Sequence, residues 1–131
     1  MNLYNLIQDI LKDYSIDNRE DIVWEDIDFF KPWEFSGEMS PILIYRLDRA
    51  RRISGVPFVI TDSFREGPGD ESAHNKGKAV DIRCHFSGPR FKILEGLIKA
   101  GFNRIGIYDR HIHADVDETR PPEVAWLGKS Q

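Results

Sequence analysis

Cysteine is nearly missing from this 131-residue chain: Cys84 stands alone, so no internal disulfide can form. A domain of this length buries roughly two-thirds of its unfolded surface and folds without such a staple, so the single thiol leans toward a reducing compartment. Long apolar runs are absent too, and nothing approaches the roughly 20 residues that a membrane span needs. The first residues, Met-Asn-Leu-Tyr-Asn-Leu-Ile-Gln-Asp-Ile, carry neither a basic region nor an apolar core. No secretory leader is therefore expected, and the protein is expected to be cytoplasmic as synthesised. Positive charge is not in excess: the formal net charge is −4. That balance excludes the basic stripe of a nucleic-acid binder and the polybasic segment of a membrane-surface protein. Repeats and low-complexity stretches are likewise missing. What remains is the composition of one ordinary globular domain, expected to be a monomer.

Within it, Leu3, Leu6, Ile7, Ile10, Leu11 and Tyr14 recur at helical spacing and predict an amphipathic helix over 2–14. An acidic stretch follows from Asp17 to Asp28, and residues 1–26 are expected to pack as a helix and linker on the domain proper, 27–120. The aromatic cluster from Phe29 to Phe35 reads as a packing ridge, with a wall of a substrate groove as the alternative. Ser40-Pro41 and Gly55 bracket a helix over 41–54. Val56 to Thr61 reads as a strand, 66–78 as a loop of glycine, proline and polar residues, and 78–82 as a second strand. A helix from Pro89 to Ala100, carrying Phe91, Leu94, Leu97 and Ile98, precedes strands near 102–108 and 111–117. Residues 121–131 read as a Pro-rich tail. This order predicts an α+β domain: a small, mainly antiparallel sheet with helices packed on it.

The four histidines carry the chemistry. His74 lies seven residues before Asp81 with Gly77 between them, and His111 and His113 share one face of a predicted strand. Two imidazoles and one carboxylate, with a fourth position open, describe a catalytic zinc site. Spacing alone leaves a solvated surface pair as the alternative. Cys84, three residues beyond Asp81, should face away from such a site as a buried thiol, and His85 should be a surface residue. Asp115 and Asp117 continue the His113 face as solvated carboxylates or as supports for the ligands.

Ser72-Ala73-His74-Asn75-Lys76-Gly77-Lys78-Ala79-Val80-Asp81 resembles the S-x-H-x-x-G-x-A-x-D signature of the zinc D-Ala-D-Ala carboxypeptidases and related L,D-endopeptidases. That family shares its fold with the hedgehog signalling domain. Ile60-Thr61-Asp62-Ser63-Phe64-Arg65 resembles the family's strand ending in S-G-Y-R. Phe29 to Phe35 and the helix from Pro41 resemble the lead-in of its short, single-domain branch. The resemblance covers roughly residues 27–117, and the first 26 have no counterpart in it. It implies a hedgehog/DD-peptidase-like fold, Zn2+ held by His74, Asp81 and His113, and Arg65 holding or polarising the substrate. It also implies a metallopeptidase that cuts a peptidoglycan stem peptide at D-Ala-D-Ala or at an internal L,D linkage. The missing leader suits a phage-encoded endolysin that a pore releases to the cell wall. Gly77 would let the backbone turn so that both donors converge, and Ser72 would orient His74.

One position departs from the pattern. Relatives carry an acid three residues before the last histidine, to take a proton from water; here that residue is Arg110, which is no base at ordinary pH. Asp109 and His111 are the two candidates for the role. A domain that keeps the metal but only binds a peptide or partner is the alternative reading.

Overall fold

The computed structural model describes residues 2–8, 11 and 19–129. The order of elements is α1 (Pro41–Ser54), β1 (Ile60–Asp62), β2 (Ala79–Arg83), α2 (Ser87–Lys99), β3 (Arg104–Ile107), β4 (His111–Asp115) and β5 (Val124–Leu127). Short 3-10 turns stand at Trp24–Asp26, Pro32–Glu34 and Ala73–Lys76. The five strands form one sheet in the order β1-β2-β4-β3-β5; three pairings are antiparallel, and only β3 with β5 is parallel. The α+β reading holds, with a sheet that is mixed rather than purely antiparallel. Among the described residues no helix is long and apolar enough to cross a membrane.

Both ends of α1 follow their punctuation. Pro41 occupies the first turn, where its missing N–H costs nothing, and Gly55 closes the helix in the left-handed region at φ 72°. Ser40 takes the N-cap position without a side-chain cap bond. The α2 helix buries Ile93, Gly96 and Leu97 and abuts Ala100, a face at helical spacing. A Cβ on Gly96 would stand 2.4 Å from the Ala50 carbonyl oxygen, so the glycine lets the two helices cross closely. This differs from the expected face of α2: Phe91 and Ile98 are exposed, because the crossing at Gly96 turns them outward.

Strand alternation sorts the sheet into two faces. Val80, Ile82, Ile105, Ile112 and Ala114 join Leu43, Ile44, Leu47, Phe58, Ile93 and Leu97 in the core. The opposite face of β2 and β4 carries Asp81, Arg83, His111, His113 and Asp115. The strand expected over 56–61 begins only at Ile60, since Pro57 has no N–H to offer a ladder.

The aromatic cluster is a packing ridge at Phe30 and Phe35, whose rings lie 5.7 Å apart, with Trp24 6.0 Å from Phe35. Trp33 stands outside it, 79% exposed. The acidic linker is tied down where Val23 N–H donates to Tyr45 Oη (2.9 Å) and Asp28 and Phe29 N–H donate to Asp48 (3.1 and 2.8 Å). Residues 3–8 are helical as predicted, but Leu3, Leu6, Ile7 and Leu11 are exposed rather than packed. Residues 9, 10 and 12–14 of the predicted helix, Ile10 and Tyr14 among them, lie outside the described residues. The expected tail is also corrected: Val124–Leu127 forms β5, an apolar run that continues the sheet beyond Pro121-Pro122.

Candidate metal centre

Register lines up one row across all five strands: Asp62 opposite Asp81, Asp81 opposite His113, His113 opposite Gly106, and Gly106 opposite Trp126. Directly paired residues share a face, so β2 and β4 deliver Asp81 and His113 side by side. His74 comes from the 3-10 turn that precedes β2. That turn ends at Gly77, whose φ of 68° favours glycine, and a Cβ there would stand 2.2 Å from the Glu38 carbonyl oxygen. Arg65 N–H to His74 O (3.2 Å) and Lys78 N–H to Ala73 O (2.9 Å) fix the turn against its neighbours.

His74 Nε2 lies 3.3 Å and His113 Nδ1 3.2 Å from Asp81 Oδ1. All three donor atoms fall within 4.8 Å of one another, a group that could hold a metal ion. The far nitrogens are spoken for. His74 Nδ1 donates to the Ser63 carbonyl (2.8 Å), because a carbonyl can only accept. His113 Nε2 faces Asp115 Oδ2 at 2.7 Å. Burial opposes ionisation of Asp115, but bonds from His113, the Asp117 N–H and Arg104 hold its carboxyl below the usual range, so His113 Nε2 is the donor.

In their neutral tautomers both histidines therefore turn a lone pair toward a carboxylate oxygen. Three electron-rich atoms in such proximity repel unless a cation sits among them. Ligand bonds of about 2.0–2.2 Å around a tetrahedral ion put neighbouring donor atoms roughly 3.3–3.6 Å apart, close to both separations seen here. Without a metal the cation is a proton: burial opposes the His113 imidazolium, yet Asp115 and Asp81 outweigh it and raise its pKa. Burial likewise opposes the Asp81 carboxylate, yet bonds from His113 and His74 hold its pKa well below the ordinary value. A carboxylate or carbonyl fixing the far nitrogen of each imidazole is the arrangement by which proteins orient metal-binding histidines.

Of the two proton-transfer candidates, His111 joins this group. Its Nε2 lies 3.8 Å from Asp81 Oδ2, and its ring stacks on Tyr108 at 4.2 Å with 14° between planes. Asp109 sits exposed in the turn between β3 and β4, where its backbone carbonyl accepts from Arg90 (3.2 Å). Arg110 shares that turn, its carbonyl accepting from Cys84 N–H. The Arg65 guanidinium stands at the rim, half exposed, 3.5 Å from Asp62 and 3.8 Å from Asp70; Asp62 is itself 4.0 Å from His74 Nδ1.

One expectation about support changes, and for Asp115 the supporting role is the one of its two expected alternatives that holds. Ser72 does not orient His74: its hydroxyl accepts from Arg65 (3.3 Å), and the Ser63 carbonyl does the orienting. Asp115 and Asp117 are not solvated, being 2% and 1% exposed. Asp115 holds His113 and Arg104, while Asp117 takes Lys76 (3.1 Å) and Arg120 (3.2 Å). Cys84 is buried in the core and His85 is exposed, both as expected. Sequence reading missed Ser63, Arg104, Tyr108 and Trp126. A backbone carbonyl leaves no trace in residue identity, and the two aromatics gain meaning only through the β3–β5 register. No protein-family model, curated protein or solved structure matches the chain.

Proposed function

We propose that this chain is a zinc metallopeptidase of hedgehog/DD-peptidase-like fold. Its substrate would be a peptidoglycan stem peptide, cut in the manner of a D-Ala-D-Ala carboxypeptidase or an L,D-endopeptidase, as in a phage endolysin. The observation that carries the reading is the convergence of His74 Nε2, His113 Nδ1 and Asp81 Oδ1, with both far nitrogens already engaged. Two imidazoles and a carboxylate suit zinc, and the resemblance across 72–81 supports the same assignment. Zinc in such a site polarises a carbonyl and brings the pKa of water to about 7.

The chain's own groups supply the rest. His111 accepts a proton at Nε2 and returns it to the leaving amine; its approach to Asp81 supports it over Asp109. Arg65 meets the substrate carboxylate or the developing oxyanion, from a backbone pinned to His74. Asp115 and the Ser63 carbonyl keep the ligand rings aimed.

Arg110, at the position where the resembled family keeps its acid, favours a second reading: a zinc-bearing module that binds a peptide without cutting it. One assay separates the two. The zinc-loaded protein is incubated with purified muropeptides, and products are followed by mass. Cleavage supports the enzyme; intact substrate with stoichiometric zinc bound sinks it. Absence of stoichiometric zinc by elemental analysis would remove both.

A further inference from the structure

Beside the metal centre lies a group of rings for which the proposed ligands and proton acceptor do not account. Trp126, carried in by β5, donates from Nε1 to Tyr108 Oη (3.1 Å). Its ring centroid is 5.4 Å from that of His113, and Arg104 lies over it at 5.4 Å. Arg104 also donates from Nε to Asp115 (2.7 Å), the carboxylate that holds His113. Tyr108 in turn stacks on His111 at 4.2 Å. The two rings at the end of the sheet thus touch both histidines of the His111–His113 strand, one each.

The backbone is cut to admit these rings. A Cβ on Gly106 would stand 2.6 Å from Trp126 Nε1, and one on Gly128 would stand 2.3 Å from Tyr108 Cε1. Neither glycine has a positive φ, so neither position needs glycine for its conformation. Each is glycine because a ring lies directly on the strand. Such close seating leaves an aromatic side chain, with only two rotatable bonds, little freedom to shift.

We propose that Tyr108 and Trp126 are positioning residues. Tyr108 holds the His111 imidazole at the angle from which Nε2 reaches the metal centre, and Trp126 backs the His113 ring and locks Tyr108 through its indole N–H. The role of His111 rests on the peptidase reading; the orientation of the rings does not.

The test uses the full chain, zinc-loaded, with three readouts: ring-proton NMR of labelled histidines, zinc affinity by chelator competition, and kcat and KM on muropeptides. Tyr108→Leu removes the stack. The His111 ring protons are expected to move downfield as the shielding ring is lost, and kcat to fall about tenfold with KM and zinc content held. Tyr108→Phe keeps the ring but loses the Oη that accepts from Trp126 Nε1, so it should show a smaller change in the same direction. Gly128→Ala, which wedges Tyr108 away without replacing any side chain of the site, should reproduce the effect of Tyr108→Leu. It serves as the second probe if the leucine variant fails to fold. Trp126→Phe should shift the His113 signals and weaken zinc binding several-fold. Unmoved His111 signals in folded Tyr108→Leu or Gly128→Ala overturn the proposal, as does a shift without any fall in kcat. If the parent protein cuts nothing, the peptidase reading fails, and NOEs from the His111 ring to its neighbours on β2 and β4, lost in Tyr108→Leu and Gly128→Ala if the stack orients the ring and kept if it does not, still decide for or against positioning.

Discussion

Replacing Asp115 by asparagine tests the tautomer argument at its root. The change is nearly isosteric, but the amide must choose which way to point. Arg104 Nε (2.7 Å) and the Asp117 N–H (3.1 Å) both need an acceptor at Oδ1, so the new oxygen is held there and the NH2 turns to His113 Nε2. That nitrogen must now accept, which moves the ring proton to Nδ1, the atom facing Asp81. A protonated Nδ1 cannot bind a metal. Loss of such an outer partner costs about 10–100-fold in metal affinity, or about 1.4–2.8 kcal/mol. The fold itself loses a charge-assisted bond but keeps an acceptor for Arg104, a cost of about 1–3 kcal/mol. Zinc affinity is read by competition with a chromophoric chelator, and stability by urea unfolding in EDTA. Asp48→Asn is the control: Asp48 is also buried and accepts two backbone N–H groups, yet has no bond to the metal centre, so it should lower stability without changing zinc affinity. Unchanged zinc affinity in a folded Asp115→Asn protein would refute the reasoning.

Other perturbations read other parts of the design. His111→Gln should abolish hydrolysis while zinc stays bound, whereas Asp109→Asn should keep most activity; the reverse pattern in muropeptide assays would transfer the proton role to Asp109. Zinc at a hundredfold excess over its Kd stabilises by about 2.7 kcal/mol. With an unfolding entropy of about 2.1 cal/mol/K per residue over 131 residues, EDTA should lower Tm by roughly 10 °C in calorimetry. Gly77→Ala meets a left-handed backbone, at about 1–2 kcal/mol, and a carbonyl oxygen 2.2 Å from the new methyl; urea unfolding should show a loss above 2 kcal/mol together with weaker zinc binding. For Asp117, burial opposes ionisation, but Thr119 and Lys76 outweigh it and hold the carboxyl below its ordinary 3.8. Its stabilising effect is therefore present above that value and lost as pH falls through the folded one. The unfolding free energy of metal-free protein should drop less steeply from pH 5 to pH 2 in Asp117→Asn than in the parent.

The legible parts of this chain were those written in local punctuation. Ser40-Pro41 and Gly55 delimit α1 at the residues where it starts and stops, and the alternation His111-Ile112-His113 places two imidazoles on one face because strand geometry permits nothing else. Gly77 carried a double signal, needed for its φ and for the space beside Glu38. What stayed hidden depends on partners distant in sequence. The outward turn of Phe91 and Ile98 follows from Gly96 meeting Ala50, and β5 pairs with β3 only once Pro121-Pro122 have turned the chain. The orientation of His74 is set by a backbone carbonyl eleven residues away, which no side-chain pattern encodes.

The balance of charge across the sheet argues that this group is more than a buried hydrogen-bonded triad. Each neighbouring carboxylate has a cation supplied by the chain: Asp62 has Arg65, Asp115 has Arg104, and Asp117 has Lys76 and Arg120. Asp81 differs. Among the described residues its ion-pair partners are His74, His111 and His113 alone, and two of these turn lone pairs toward it when neutral. As a device for stability such a cluster is poor, since apolar residues of the same volume would serve as well or better. A chain that neutralises three carboxylates with its own guanidinium and ammonium groups, yet surrounds the fourth with imidazoles aimed from behind, has built a group that could hold a metal ion. A divalent ion would neutralise Asp81; without one a proton on His113 does so, held there by the Asp115 and Asp81 carboxylates.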